Sequence, residues 1–435
     1  MNSNAQGPQY DLVVVGGGAI GLATACHSAR KGKKVLVLEA RKFFHHSGSS
    51  GDIMRMFRIL YSTPEDTQRA INSLKMWHEL EKDSGEKLLW MTGQLNFGSN
   101  KSTAGAQGEY KKVKEALTKL GRPCRPLSKE EIEKEFHLTN FKYDGYFSPD
   151  NGVMNVPLIL RTFYKLAQRN LATLIEKAEV TAVKVDNESV TVKATVKEDK
   201  DRFSDAGTPR TYTAKKCVIA CGAYTNEVLK NIQPQKKYKL NYAVWDMVYD
   251  YYATDPKIDN IYPGMWVYFG ERTDELYYGF PPVPWGPPNL AKIGWESTTQ
   301  KTMKLPNRTD ERQDLVPARD DVKKTVDFIK NHCLGVEPYP VYSGNCVHPH
   351  FGDHNAVLDR LPDPHRNAVV CAGGWSFKFL PLYAKLIYQV TFENKNIEDL
   401  WKELSINRKA PDPQKAEKEK PVLQYDSGEG SSGSS

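Results

Sequence analysis

No stretch of this chain approaches the roughly 18 consecutive apolar residues of a membrane-spanning helix. The opening Met1-Asn-Ser-Asn-Ala-Gln-Gly7 also lacks the positive flank and apolar run of a secretory signal. Both absences point to an intracellular protein, cytoplasmic or peroxisomal, with no membrane partner; the terminal Gly430-Ser-Ser-Gly-Ser-Ser435 is not a Ser-Lys-Leu type address. Cysteine is sparse: Cys26, Cys124, Cys217, Cys221, Cys333, Cys346 and Cys371 are scattered, odd in number and without C-x-x-C or zinc spacing. This argues against a disulfide framework and leaves most of them as small buried apolar groups. Charge of a single sign is missing too. With 60 Lys and Arg against 53 Asp and Glu, the net +7 is modest and spread, so no nucleic-acid partner is expected. His348, His350 and His354 lie close together, but Pro349, Gly352 and Asp353 give a loop-like stretch without i, i+4 presentation, and no metal site is expected.

What is present begins at once. Asp11-Leu-Val-Val-Val15 is an apolar strand that runs into Gly16-x-Gly18-x-x-Gly21, and Val35-Leu-Val-Leu-Glu39-Ala40 follows about 20 residues later. Gly16 permits the tight turn, Gly18 lets the backbone approach a pyrophosphate, and Gly21 lets the next helix pack on the sheet. Ala19 to Arg30 is that helix, its first amides aimed at phosphates, and Glu39 is placed to bind ribose hydroxyls. A fingerprint this close to the start favours FAD held as a resident cofactor.

Further along, Lys42 to Asp52 is a Gly/Ser/His-rich loop, and Ile71, Leu74, Trp77 and Leu80 mark a helix. Trp90 to Phe97 reads as one strand, Tyr110 to Leu120, Lys129 to Phe136 and Val156 to Arg169 as helices, Thr173 to Val185 and Ser189 to Val196 as strands, and Asp199 to Pro209 as a polar hairpin tip. Residues 238–300, rich in Tyr, Trp and Pro, suit an antiparallel sheet lining a pocket. Lys216 to Ala220 and Ala368 to Ala372 are buried strands with glycine exits that return the chain to the nucleotide unit. The expected class is α/β, α+β overall: a Rossmann-like FAD-binding domain (8–85, 146–230 and 341–408) interdigitated with a substrate domain on a mainly antiparallel sheet (86–145 and 231–340). Residues 409–435, rich in Lys, Glu, Pro, Gly and Ser, read as a disordered tail.

Gly51-Asp-Ile-Met-Arg55-Met-Phe-Arg58-Ile-Leu-Tyr61 reads as a helix start with two arginines on one face, a fork for carboxylate or phosphate. From here the chain resembles the flavin-dependent amine oxidase family of monomeric sarcosine oxidase, pipecolate oxidase and the amadoriases (fructosyl amino acid oxidases), over Tyr10 to Arg408. The resemblance rests on the fingerprint with Glu39, Arg55-x-x-Arg58-x-x-Tyr61, Thr92-Gly-Gln-Leu-Asn-Phe97-Gly, Asp150-Asn-Gly152-Val, Cys221-Gly-Ala-Tyr-Thr, Tyr277-Tyr-Gly-Phe280-Pro, Lys292-Ile-Gly, Cys346 with Asp359, and Ser376-Phe-Lys378-Phe.

The resemblance implies FAD linked covalently through Cys346, Lys292 as the oxygen-activating cation, and Lys378 with Arg58 as the holder of a substrate carboxylate. Glu296, Tyr277 and Trp375 are then expected to shape the pocket. The implied cofactor set is Gly16, Gly18, Ala19, Ile20, Gly21, Glu39, Ala40 and Arg41; Ser49, Ser50 and Arg55; Gly222; and Cys346, Gly374, Phe377 and Lys378. Two departures bear on the substrate. Glu296 stands where sarcosine oxidase has a histidine, as in the amadoriases, and Trp375 resembles the branch that oxidises a cyclic imino acid toward picolinate. The implied activity is oxidation of the C–N bond of a secondary, N-substituted or cyclic amino acid by a monomer, with oxygen as co-substrate and an imine and hydrogen peroxide as products. A piperideine carboxylate oxidase, a flavin dehydrogenase and a catalytically silent flavoprotein remain as alternatives.

Overall fold

The computed structural model describes residues 9–102, 109–122, 124–197, 207–234, 238–272, 275–296, 319–413 and 415–425. The expected hairpin tip at 199–209 falls largely outside them. The apolar strand Tyr10–Val15 lies between Thr208–Ile219 and Val35–Leu38, parallel to both, in a nine-stranded sheet. Ala368–Gly373 joins parallel to Thr208–Ile219, and Thr173–Ile175 parallel to Val35–Leu38. Strands buried on both faces read as continuous Val/Leu/Ile runs, as Val35-Leu-Val-Leu38 does. The helix Ala19–Arg30 is buried over most of its circumference because Ala, Gly, Cys and Ser let helices Val156–Arg169 and Leu380–Phe392 approach closely.

Two glycines make the turn possible. Gly16 has φ of +101°, and a Cβ there would sit 2.5 Å from the Ala220 carbonyl oxygen. At Gly21 a Cβ would sit 1.9 Å from the Gly16 carbonyl oxygen, so any side chain would push the helix off the strand.

The second sheet has eight strands in the order Val336–His350, Ala243–Thr254, Leu290–Trp295, Leu276–Phe280, Met265–Phe269, Gln94–Gly98, Gly145–Ser148 and Arg125–Leu127. It is antiparallel except where Gln94–Gly98 runs parallel to Met265–Phe269. The chain crosses between the sheets at points other than those expected. Residues 341–350 continue a strand that pairs with Ala243–Thr254 of the eight-stranded sheet, and Ile232–Gln233 pairs with Ala178–Val185 of the nine-stranded one.

Three local expectations are corrected. Met54–Phe57 is a strand, not a helix start, because it pairs with Gly152–Asn155, and tertiary pairing overrides a weak local preference. His348 and His350 end the strand Val336–His350 instead of lying in a loop, because register with Val244 and neighbouring residues carries the pairing through Pro349. The described residues of the tail expected to be disordered, 409–413 and 415–425, form strands. Lys409–Asp412 and Lys415–Pro421 form a hairpin, and Leu423–Tyr425 pairs with Tyr238–Leu240. The apolar Val422-Leu423 pair, both buried, supplies the anchor that its polar surroundings concealed.

Candidate active site

One continuous cavity of about 290 Å³ runs from the Gly16–Gly18 turn to the inner face of the eight-stranded sheet. At its nucleotide end Gly16, Gly18, Ala19, Ile20, Glu39, Ala40 and Arg41 all line the wall, with Ser49, Ser50 and Gly222. Gly21 lies behind the wall and acts through packing. Glu39 closes this end: its carboxylate accepts from the Gly17 amide at 2.6 Å and the Arg41 amide at 2.8 Å, and His45 lies 3.5 Å away. Burial opposes its charge, but His45 and the two amides outweigh that and hold the Glu39 carboxyl below its usual range. Ser50 Oγ accepts from the Ala19 amide at the helix start.

Arg55 and Arg58 reach the cavity by a different route from the expected helical fork. Arg55, on the strand Met54–Phe57, donates to the carbonyls of Ser49 (2.7 Å) and Gly51 (3.0 Å) and lies over the Phe377 ring. It therefore fixes the Gly/Ser loop around the cavity. Its Nε is buried without a partner, as is Nε2 of His348. Arg58 follows the strand, 3% exposed, and donates to the Leu60 carbonyl at 2.6 Å.

Lys378 sits on the short 3-10 turn Ser376–Phe379, buried, with its ammonium 3.4 Å from the Trp375 carbonyl. Burial and Arg58 push it well below the ordinary lysine range; Glu296 opposes and Arg55 adds to the depression. Glu296, just beyond the strand Leu290–Trp295, thus faces a cationic pair across the cavity. The Trp375 indole stacks on the His348 imidazole, ring centres 5.1 Å apart and planes at 17°. Burial, with Arg55 and His354, drives His348 down to about 3, so its imidazole is neutral. Cys346 is buried on the Val336–His350 strand and lines the same cavity; burial raises its thiol and Arg55 offsets part of that rise.

Lys292 lies in the floor, and its partner was not legible in the sequence. Its ammonium contacts the Asp52 carboxylate at 2.6 Å, with both side chains almost fully buried. Asp52 also accepts from the Tyr251 hydroxyl at 2.6 Å. Tyr277 is a correction: it points out of the cavity and stacks on Phe328 at 4.0 Å. Phe280 stands opposite Lys292 in register, so period-2 alternation brings Tyr278, not Tyr277, onto the Lys292 face. Among the described residues no cluster of three His, Cys, Asp or Glu could hold a metal ion, and no described helix is long and apolar enough to cross a membrane.

A model of FAD-dependent oxidoreductases, the DAO family, matches residues 11–390. The chain belongs to the DAO family. A Dictyostelium discoideum protein provisionally named a bifunctional amine oxidase is 36% identical over 89% of this chain, which spans only 36% of that relative's length. Monomeric sarcosine oxidase from a Bacillus strain is 25% identical over 92% of this chain and 96% of its own, and human peroxisomal sarcosine oxidase 26% over 89% and 94%. Among solved structures, NikD, an unusual amino acid oxidase essential for nikkomycin biosynthesis, superposes with a TM-score of 0.77 at 28% identity, covering 91% of this chain and 97% of its own. This member of the DAO family is therefore an FAD-dependent oxidoreductase. Its cavity fits the cofactor: a glycine turn free of Cβ atoms at the nucleotide end, a carboxylate beside it, and the partnerless Arg55 Nε further in.

Proposed function

We propose that the protein oxidises the C–N bond of a secondary, N-substituted or cyclic amino acid, with oxygen as acceptor, giving an imine and hydrogen peroxide. The observation that carries this reading is two groups of cations lining one cavity: Lys378 with Arg58, and Lys292 with Asp52. FAD, when bound, supplies the two-electron acceptor. Glu39 and the amides at the glycine turn would hold its ribose and pyrophosphate, and Cys346 is the residue for a covalent tether.

Lys378 and Arg58 form a two-pronged site for the substrate carboxylate. The same positive field disfavours an ammonium nearby, so the substrate amine is held as its free base with the lone pair available. Glu296 takes up donor groups on the far part of the substrate. Lys292 presents a fixed positive charge where oxygen gains electrons, and such preorganised charge lowers the barrier most in a site closed to water. The stacked Trp375 and His348 favour a second reading, a flat cyclic imino acid oxidised toward a picolinate, because the pair lines the cavity as a flat aromatic surface on which a planar ring can stack.

The test is acid precipitation of the purified protein, followed on native material by a peroxide-coupled screen of sarcosine, pipecolate, piperideine carboxylate and fructosyl amino acids. Yellow flavin in the pellet that is lost in Cys346→Ser, with peroxide from one substrate, is the expected result. Substrate-dependent flavin reduction without peroxide would replace the oxidase by a dehydrogenase. No reduction by any of them would overturn the reading.

A further inference from the structure

We propose that Asp52 is a positioning residue for Lys292, keeping its ammonium charged and aimed into the cavity, and that Tyr251 holds Asp52 in place. The inference rests on the role given above to Lys292 and adds the residue on which that role depends. Lys292 has side-chain exposure of 6% and Asp52 of 1%. An isolated ammonium at such depth would lose its proton, and an isolated carboxylate would gain one. At 2.6 Å each stabilises the other's charge. Lys292 spends a second donor only weakly, on the Met54 carbonyl at 3.4 Å, so a third N–H remains for the cavity that Lys292 lines.

The backbone supplies an independent observation. Asp52 has φ of +148°, a region ordinarily left to glycine, directly after Gly51. A side chain persists at such a position only where its surroundings over-determine it. Here the surroundings are the Lys292 ammonium, the Tyr251 hydroxyl and the Asp52 side chain's own contact with the Ile53 amide. Burial works against the Asp52 charge, yet Lys292, Arg55 and Tyr251 outweigh it and hold the carboxyl below its usual range.

The groups facing the pair are Arg55 on the Met54–Phe57 strand, Tyr249 and Tyr251 on Ala243–Thr254, Tyr278 on Leu276–Phe280 and Cys346 on Val336–His350. The three tyrosines are all pushed upward by burial, with Asp52 adding to the rise and Glu296 adding more at Tyr278, so they stay neutral. Arg55 is a permanent cation. Removing the Asp52 charge therefore leaves a buried ammonium beside Arg55 without its counter-charge, the Glu296 carboxylate that also lines the cavity acting on Lys378 and Tyr278, and such a setting favours the neutral amine.

Asp52→Asn, Tyr251→Phe, Lys292→Met and the double variant Asp52→Asn/Lys292→Met decide the matter, all as FAD-loaded protein. Reoxidation by oxygen is followed after anaerobic reduction, with the reduction step as internal reference. In Asp52→Asn the reoxidation constant falls at least tenfold at neutral pH and recovers as pH is lowered, since the lysine becomes charged again; Tyr251→Phe shows the same direction less strongly. Denaturant unfolding supplies a readout independent of activity. Either single change to the pair leaves a buried unpaired group, so the double-mutant cycle shows a coupling of tenfold or more in the unfolding equilibrium. Additive unfolding, or an Asp52→Asn reoxidation deficit equal at every pH, would overturn the proposal. If Lys292→Met slows reoxidation while Asp52→Asn does not, the proposal fails and the oxidase reading survives. If neither slows it, both fail.

Discussion

Lys378 is a buried ammonium in a field made cationic by Arg58 and Arg55, and that fixes how ligand affinity must respond to pH. In the free site burial and Arg58 hold it well below the ordinary lysine range. A carboxylate drawn between Lys378 and Arg58 favours the charged form and raises the pKa again. Binding therefore takes up a proton at any pH between the free and bound values, and affinity for a carboxylate falls as pH rises through that window. Calorimetry with a heterocyclic carboxylate in buffers of different ionisation enthalpy should show this uptake, and Lys378→Met should abolish it while weakening binding by about 2–3 kcal/mol, roughly a hundredfold. A dissociation constant independent of pH would remove Lys378 from the carboxylate site. The place of Lys378 in the cavity was legible through the family resemblance that the local pattern Ser376-Phe-Lys378-Phe carries. Asp52 was not, since its partner is 240 positions away and only folding joins them.

Elements carry a different kind of information from residues. Tyr277 and Tyr278 are adjacent on one strand and point to opposite faces of the sheet, so their roles depend on register, and register is set by the partner strand. Tyr278 lines the cavity with Phe280, while Tyr277 packs on Phe328 of the helix Arg319–His332. Tyr277→Ala should cost about 2–3 kcal/mol of stability by denaturant titration through lost stacking and area, with substrate KM little changed. Tyr278→Ala should alter KM or the substrate ranking at once; the reverse pattern would invert the assignment. Helices such as Val156–Arg169 were legible to the residue because their apolar spacing and the Pro157 start are local. The strand expected from Trp90 to Phe97 instead splits into Leu89–Trp90 and Gln94–Gly98, separated by Gly93 at φ of +77°, and the two pieces join different sheets. Alternation alone does not reveal a change of sheet.

At the scale of the whole molecule, the glycine fingerprint and the buried strand runs were enough to infer a Rossmann-like unit, and the Tyr-, Trp- and Pro-rich stretch 238–300 an antiparallel sheet. Within the described residues 409–413 and 415–425 the strands were hidden because the sequence displays composition and not pairing. Lysine and glutamate dominate 409–421, yet the backbone there is fastened at both ends. Leu423–Tyr425 pairs with Tyr238–Leu240, and the Asn241 amide donates to the Val422 carbonyl at 2.8 Å. The Pro411 carbonyl oxygen lies 2.1 Å from where a Cβ would sit on Gly352, so the hairpin rests directly on the turn that follows the Cys346 and His348 strand. Arg408 bonds Asp353 in the same turn at 2.7 Å. Removing residues after Arg408 strips Ala410, Val422 and Leu423 from the core shared with Leu240 and Phe351. At ordinary transfer energies that costs about 4 kcal/mol, a large share of the stability of a typical domain. The truncated protein should therefore unfold at markedly lower denaturant concentration and, because the turn behind Cys346 is loosened, lose FAD more readily on gel filtration unless the tether has formed. Val422→Asp should reproduce the stability loss in the full chain, since it places an unpaired carboxylate in the same core. A truncated protein with unchanged unfolding midpoint and full flavin content would mean that the last strands are ornament to the fold and not part of its support.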